Sequence, residues 1–76
     1  MKVTLDKIAS QPSDYKICKE CGYINFYENE VCVMCQGDEF DESEESVIRW
    51  VDNEYQYRIE TEGYTEREAD NVVVEV

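Results

Sequence analysis

The four cysteines are the residues whose types and spacing predict chemistry in this chain. They form two Cys-x2-Cys pairs separated by ten residues, Cys18 with Cys21 and Cys32 with Cys35. Each pair lets two thiolates bind one ion from a tight turn, and two pairs complete a tetrahedral shell with Zn–S bonds of about 2.3 Å. Gly22 follows the first pair, where a left-handed residue helps backbone amides turn toward sulfur. We therefore predict one structural zinc ion bound by all four cysteines.

Other uses of these cysteines stay open at this point, namely two disulfides, a redox-active dithiol or an iron site. Each Cys-x2-Cys turn is called a knuckle below. The separation between the two pairs lies just below the window of about 12–20 residues that is usual for zinc sites with two knuckles, which indicates a compact finger. The first four residues lack the apolar core of a signal peptide, and no apolar run of about 18 residues follows. We expect an intracellular protein with no membrane contact, cytoplasmic or, in a eukaryote, nuclear. Disulfides are rare in such compartments, which favours the metal.

The charge of the chain is concentrated in its second half. Residues 1–35 carry four Lys against five acidic residues, and residues 36–76 carry three Arg against fourteen, so the halves contribute −1 and −11 to the total of −12. Nucleic-acid binding depends on Lys and Arg contacts to phosphate, so we expect no direct binding of DNA or RNA. Such a composition is accounted for by simple solvation of an exposed surface, by a basic protein partner, or by adaptation of the host to salt.

The elements around the cysteines read as short strands and turns. Apolar residues alternate weakly over residues 1–9, which suits a short strand, and a turn cluster follows. Tyr15–Cys18 and residues 22–27 alternate on either side of the first knuckle, which predicts a hairpin that carries it. A chain of 76 residues buries only a marginal core, so the metal is expected to supply stability.

The second half predicts helices and a last strand. An acidic run over residues 39–45 looks like a linker and a helix start, with Asp41 or Ser43 as the cap. A helix over residues 44–61 is favoured over a hairpin because apolar residues recur at helical spacing, at Ile48, Val51, Tyr55 and Ile59, widened by Val47 and Trp50.

The helix is expected to stop at Gly63, and a second short helix is expected to start at Thr65. Residues 72–76 are β-prone and are predicted to pair with residues 2–5. The prediction is a small metal-stabilised α+β fold: a zinc-finger part over residues 1–38, then an acidic, mainly helical extension over residues 39–76 with a short C-terminal strand.

The four cysteines, with Asn25 between the pairs, resemble the small zinc finger first described in a nuclear-pore Ran-binding protein, over residues 18–35. Members of that family bind single-stranded RNA or ubiquitin. The RNA-binding members resemble one another in a tryptophan two residues before the first cysteine, where this chain has Lys16. The ubiquitin-binding members have Thr-Phe after the second cysteine and an apolar residue before the last, which Tyr23 and Met34 match in part. The first knuckle is also similar to that of rubredoxins and zinc ribbons, but the second is not.

The expected function is binding, not catalysis. A closed four-thiolate shell leaves no position for a reacting water, and the chain has no histidine base. The leading interpretation is a noncatalytic zinc-binding protein-interaction or regulatory module, with Tyr23, Tyr27 and Met34 in the partner surface because Tyr and Met suit interfaces. The alternative is an acidic regulator or nucleic-acid mimic that binds a basic protein surface, with zinc only stabilising the fold.

Overall fold

Five short strands and three helices make up the fold. The structure is a computed structural model that describes residues 1–76. The elements follow in the order β1 (Lys2–Thr4), α1 (Leu5–Ser10), a 3-10 turn (Pro12–Asp14), β2 (Tyr15–Cys18), β3 (Ile24–Phe26), β4 (Phe40–Asp41), α2 (Glu44–Thr61), α3 (Glu66–Asp70) and β5 (Val73–Glu75). This arrangement confirms the predicted small α+β fold with a hairpin, a main helix and a short last strand. No helix is both long and apolar enough to cross a membrane.

The first and last strands pair with each other. Strands β1 and β5 are antiparallel and form a two-stranded sheet in which Val3 lies opposite Val74. Both valines are buried, whereas their neighbours Lys2 and Glu75 are exposed, as the two-residue period of a strand requires. The predicted pairing of the C-terminal strand is confirmed.

Three further strands form the sheet that carries the first knuckle. Strand β2 is central, with β3 and β4 antiparallel on its two sides. The predicted hairpin is confirmed, although β3 is shorter than the predicted segment of residues 22–27. Strand β4 was not predicted, because its two residues lie in the acidic run interpreted as a linker. The pairing of Phe40 with Cys18 brings the chain back beside the metal ligands after the second knuckle.

Helix α2 confirms the helix over the alternative hairpin. Ser43 is its N-cap, with a hydroxyl that accepts a hydrogen bond from the Ser46 N–H at 3.3 Å. Asp41, the other predicted cap, accepts from the N–H of Ser43 at 3.0 Å and so supports the cap from outside. The helix ends at Thr61 with Glu62 as its C-cap, and Gly63 takes the left-handed conformation with φ 73°.

The buried face of α2 differs from the predicted stripe. Val47 and Val51 are buried, but Ile48 is 45% exposed and Ile59 is 37% exposed. Spacings of three and four residues start equally well from position 47 or 48, so the sequence pattern left the rotation of the helix undetermined. The helix turns Val47 and Val51 toward α1 and β2, with Trp50 and Tyr55 half-buried beside them.

The start of the chain also differs from the prediction. The expected strand over residues 1–9 ends at Thr4, whose hydroxyl caps α1 by accepting from the Lys7 N–H. Leu5 and Ile8 lie three residues apart and so share one helical face, which is fully buried. The resulting core contains residues from both predicted parts of the chain, namely Val3, Leu5, Ile8, Tyr15, Ile24, Val47, Val51, Val74 and Val76. The division at residue 38 stays a prediction.

Candidate metal centre

The first knuckle is a tight turn at the end of β2. The Cys18 N–H donates to the carbonyl of Tyr23 at 2.9 Å, and the Gly22 N–H donates to the carbonyl of Cys18 at 2.9 Å. Gly22 has φ 76°, as predicted for the residue after Cys21. An added Cβ at this position would meet nothing within 4 Å. The requirement for glycine therefore comes from the backbone conformation alone.

The second knuckle repeats the geometry of the first. The Cys32 N–H donates to the carbonyl of Gly37 at 2.8 Å, and the Gln36 N–H donates to the carbonyl of Cys32 at 2.9 Å. Gln36, directly after Cys35, is the one non-glycine residue with positive φ, at 62°. The left-handed conformation costs a residue with a Cβ about 1–2 kcal/mol. This equivalence could not be predicted from the residue type, because glutamine is not a typical left-handed residue.

The two knuckles bring all four sulfur atoms into one cluster. The four Sγ atoms lie within 4.8 Å of one another, and two pairs join different knuckles, Cys18 with Cys35 and Cys21 with Cys32, each at 3.5 Å. A tetrahedral site with Zn–S bonds of about 2.3 Å has sulfurs about 3.8 Å apart. All four cysteines are free thiols. The cluster is therefore positioned to bind one metal ion, and the chain brings together no other group of three or more potential ligands.

The cluster lies at the surface of the fold. Cys18 and Cys32 are buried, whereas Cys21 and Cys35 are exposed. Each knuckle thus contributes its first cysteine from the interior and its second from the solvent side. The cluster is therefore open to solvent on the side of Cys21 and Cys35.

A fully buried amide orients the second knuckle. Asn25 lies on β3, and its Nδ2 donates to Cys32 Sγ at 3.4 Å. Its Oδ1 accepts from the Val33 N–H at 2.9 Å and from Asn29 Nδ2 at 3.2 Å. A second N–H···S bond runs from the backbone of Met34 to Cys32 at 3.4 Å. Groups that orient a metal ligand in this way also tune its basicity. The sequence marked Asn25 only as part of a family pattern and missed its contacts.

The electrostatics of the thiols favour loss of a proton at Cys32 first. Burial raises the pKa of Cys32, but hydrogen bonds from the N–H of Cys35, the Asn25 amide and the N–H of Met34 outweigh burial and lower the pKa to about 6. The Gly37 N–H lowers the pKa of Cys35, but sharing of protons with Cys18 and the other sulfurs raises it to about 12. Without a cation, the four sulfurs cannot all be deprotonated at neutral pH. Binding of a metal ion must therefore release protons from the remaining thiols.

The three predicted partner residues have different surroundings. The Tyr23 hydroxyl donates to the carbonyl of Glu75 at 2.9 Å, and its ring packs edge-to-face on Trp50 at a centroid distance of 6.0 Å. Tyr27 is about half exposed and Met34 is 66% exposed. Tyr23 thus holds the fold together, while Tyr27 and Met34 present free surface. Their role in binding a partner stays a prediction.

Comparison with known proteins adds no relative to this description. The chain matches no family model, no curated protein and no solved structure. The resemblance of residues 18–35 to the Ran-binding-protein finger therefore gives no family assignment. What the structure does provide is a four-cysteine cluster consistent with a zinc-binding knuckle pair.

Proposed function

We propose that this chain is a noncatalytic, zinc-stabilised protein-interaction or regulatory module of the cell interior. The observation that carries the proposal is the cluster of four sulfurs within 4.8 Å, held by two knuckles of equal hydrogen-bonding geometry. Two matching turns with one buried sulfur each form a fixed frame for an ion. Exposed apolar side chains on the loop between the knuckles support the interaction role.

The donor set supports zinc as the ion. Four thiolates in a tetrahedron suit zinc or iron, and the hydrogen bonds to Cys32 sulfur fit either metal. Zinc in such a closed shell contributes folding free energy and has no open position for a substrate. The four ligands are Cys18, Cys21, Cys32 and Cys35. Iron would make the chain an electron carrier, which is the outcome that metal analysis must distinguish.

Native mass spectrometry of the purified chain, with and without a chelator, tests the proposal when it is combined with circular dichroism of the same samples. We expect one zinc ion, lost together with the folded signal when the chelator is added, because the metal site closes both knuckles. Two metal ions, iron in place of zinc, or a fold that is unchanged without metal would each contradict the structural role.

A second candidate function is an acidic regulator that binds a basic protein surface. The observation that favours it is the scarcity of ion pairs, which engage only four of the nineteen acidic side chains, Glu45, Glu54, Glu62 and Glu75. Carboxylates without basic neighbours leave a strong negative field for a partner.

Charge reversal on the exposed face of α2 separates the two functions. Asp52→Lys combined with Glu60→Lys would abolish partner binding if the negative helix is the active surface, and neither side chain has a hydrogen bond or ion pair to lose. Tyr27→Ala and Met34→Ala would abolish partner binding if the interaction surface lies on the loop between the knuckles and on the second knuckle. The partner for this experiment comes from a pull-down with the zinc-loaded chain.

A further inference from the structure

Two cavities flank the turn of the loop between the knuckles. Both are shallow depressions open to solvent, of about 530 and 490 Å³, and they share Glu28, Asn29 and Glu30 as a common wall. The first is completed by Lys16, Tyr27, Asp38, Phe40 and Glu42, and the second by Val31, Cys32, Val33 and Gln36. We propose that these two cavities, named here the loop surface, dock a protein segment in which an arginine or lysine lies beside an aliphatic side chain. This inference rests on the proposed interaction function and names the chemistry of its partner.

The first cavity carries uncompensated negative charge. Its four carboxylates, Glu28, Glu30, Asp38 and Glu42, are all exposed, and none takes part in an ion pair or a hydrogen bond. The single cation in the cavity wall, Lys16, has no carboxylate within 4.0 Å of its ammonium. Four acidic groups against one ammonium leave a net charge of about −3, which a cationic ligand would complement.

The buried lysine shows that the walls of the first cavity accommodate a cation. Lys16 is 7% exposed, and its Nζ donates to the carbonyl of Asn29 at 2.6 Å. The same atom lies 4.0 Å from the ring centroid of Phe40 and 5.6 Å from that of Tyr27. Aromatic faces stabilise ammonium and guanidinium groups in this range. Tyr27 remains about half exposed, so its ring has surface left for a guanidinium from outside.

The second cavity supplies the aliphatic half of the surface. Val31 and Val33 line it and are each nearly half exposed, and Met34 follows them at 66% exposed. Together with Tyr27, these residues concentrate four of the nine large exposed apolar side chains of the chain within residues 27–34. Apolar surface of this kind, next to charge, is typical of a site for another protein.

The charges of the chain decide between possible occupants. A second copy would bring another −12 and place like charges against the first cavity, and nucleic acid would bring phosphates to it. A cationic peptide with an aliphatic residue satisfies both cavities at once. The shared wall is fixed for this purpose, because Lys16 fastens its backbone to β2 through Asn29.

Fluorescence anisotropy with a labelled peptide tests the inference on the zinc-loaded full chain. The probe has one leucine flanked by two arginines on each side, and its matched peptide has glycine in place of leucine. The double variant Glu30→Gln with Glu42→Gln removes two exposed ion pairs with the arginines of the probe. From the usual strength of such pairs, it should weaken binding about fivefold to tenfold at low salt. Val31→Ser with Val33→Ser should weaken the leucine probe severalfold and leave the glycine peptide unchanged.

Control variants with the same chemical changes on α2 keep the test specific. Asp52→Asn with Glu60→Gln removes two charges outside both cavities, and Ile48→Ser removes an exposed aliphatic side chain, so both should bind the probe like the unaltered chain. The inference would be overturned if these controls lost as much affinity for the probe as the loop variants, or if both peptides bound equally well. Self-association of the chain through the loop, measured by sedimentation, would also overturn it. Native mass spectrometry of the same samples separates the two proposals. A folded chain that holds one zinc ion but does not bind the probe refutes the loop surface alone, whereas a chain without metal refutes the proposed function.

Discussion

Substitution of the buried Asn25 by aspartate tests how the chain orients its metal ligands. The aspartate has the same size and keeps the acceptor oxygen that receives the Val33 N–H at 2.9 Å. It replaces the Nδ2 donor by an oxygen that faces Cys32 Sγ at 3.4 Å. The assignment of the amide follows from its neighbours, since the Val33 N–H can only donate and must face Oδ1. Asn25→Asp thus exchanges an attraction at the sulfur for a repulsion. It also removes the hydrogen bond that Nδ2 donates to the carbonyl of Tyr23 at 3.2 Å in the first knuckle.

The contacts of Asn25 set the size of the expected effect. A hydrogen bond to a charged group contributes about 1.5–3 kcal/mol. Loss of a group that orients a metal ligand typically weakens metal binding about 10- to 100-fold, which corresponds to about 1.4–2.8 kcal/mol. The added carboxylate repels a thiolate in a fully buried position. We therefore expect Asn25→Asp to weaken zinc binding by about 100-fold at neutral pH.

Competition for zinc with a chromogenic chelator measures this effect, and circular dichroism reports the fold of the same samples. Asn53→Asp is the matched control, because it makes the same change at an exposed asparagine of α2 that has no hydrogen bond to lose, and it should leave zinc binding unchanged. An affinity of Asn25→Asp within about threefold of the unaltered chain would refute the role assigned to the amide.

Three further predictions, one of them with a matched control substitution, test the knuckles and the packing of the helices. Cys32→Ser should remove both the bound metal and the native circular dichroism, since Cys32 is fully buried in the cluster; a native, metal-loaded variant would contradict a structural site. Gly22→Ala should lower the free energy of unfolding by about 1 kcal/mol, measured by denaturation, and should weaken zinc binding, measured by zinc competition. Gly63→Ala is the control, because Gly63 has a similar φ and equally open space around it; it should lower the free energy of unfolding and leave zinc binding unchanged. Tyr55→Phe should lower the free energy of unfolding by about 1 kcal/mol, because the Asp70 carboxylate loses its hydroxyl donor; an unchanged denaturation midpoint would rule out that contribution.

Features that depend on neighbours in sequence could be predicted. The hairpin strand Tyr15–Cys18, the cap at Ser43 and the left-handed Gly22 each follow from residues within one turn, and all three are present. Helix α3 starts with the capping box of Thr65 and Glu68, a signal of the same local kind. The cysteine spacing predicted the ligand cluster because two knuckles need no other element to approach one ion.

Features that depend on packing could not be predicted. Lys16 is buried between aromatic rings, whereas lysine is almost always exposed, and only the return of the chain at Phe40 creates that environment. The rotation of α2, which exposes Ile48, is fixed by contacts with α1 and β2 that no periodicity encodes. Gln36 takes a left-handed conformation because the second knuckle requires it, against the preference of its own side chain.

The loop between the knuckles, residues 22–31, is connected to the last residues of the chain by direct hydrogen bonds. Asn29 Nδ2 donates to the carbonyl of Val76 at 2.8 Å, and the Tyr23 hydroxyl donates to the neighbouring carbonyl of Glu75. Tyr23 also packs on Trp50 of α2. The Tyr23 carbonyl accepts from the Cys18 N–H of the first knuckle, and Asn29 is linked to the second knuckle through the amide of Asn25. We therefore expect metal binding at the four cysteines to stabilise more of the fold than the two knuckles, because the residues between them contact both β5 and α2.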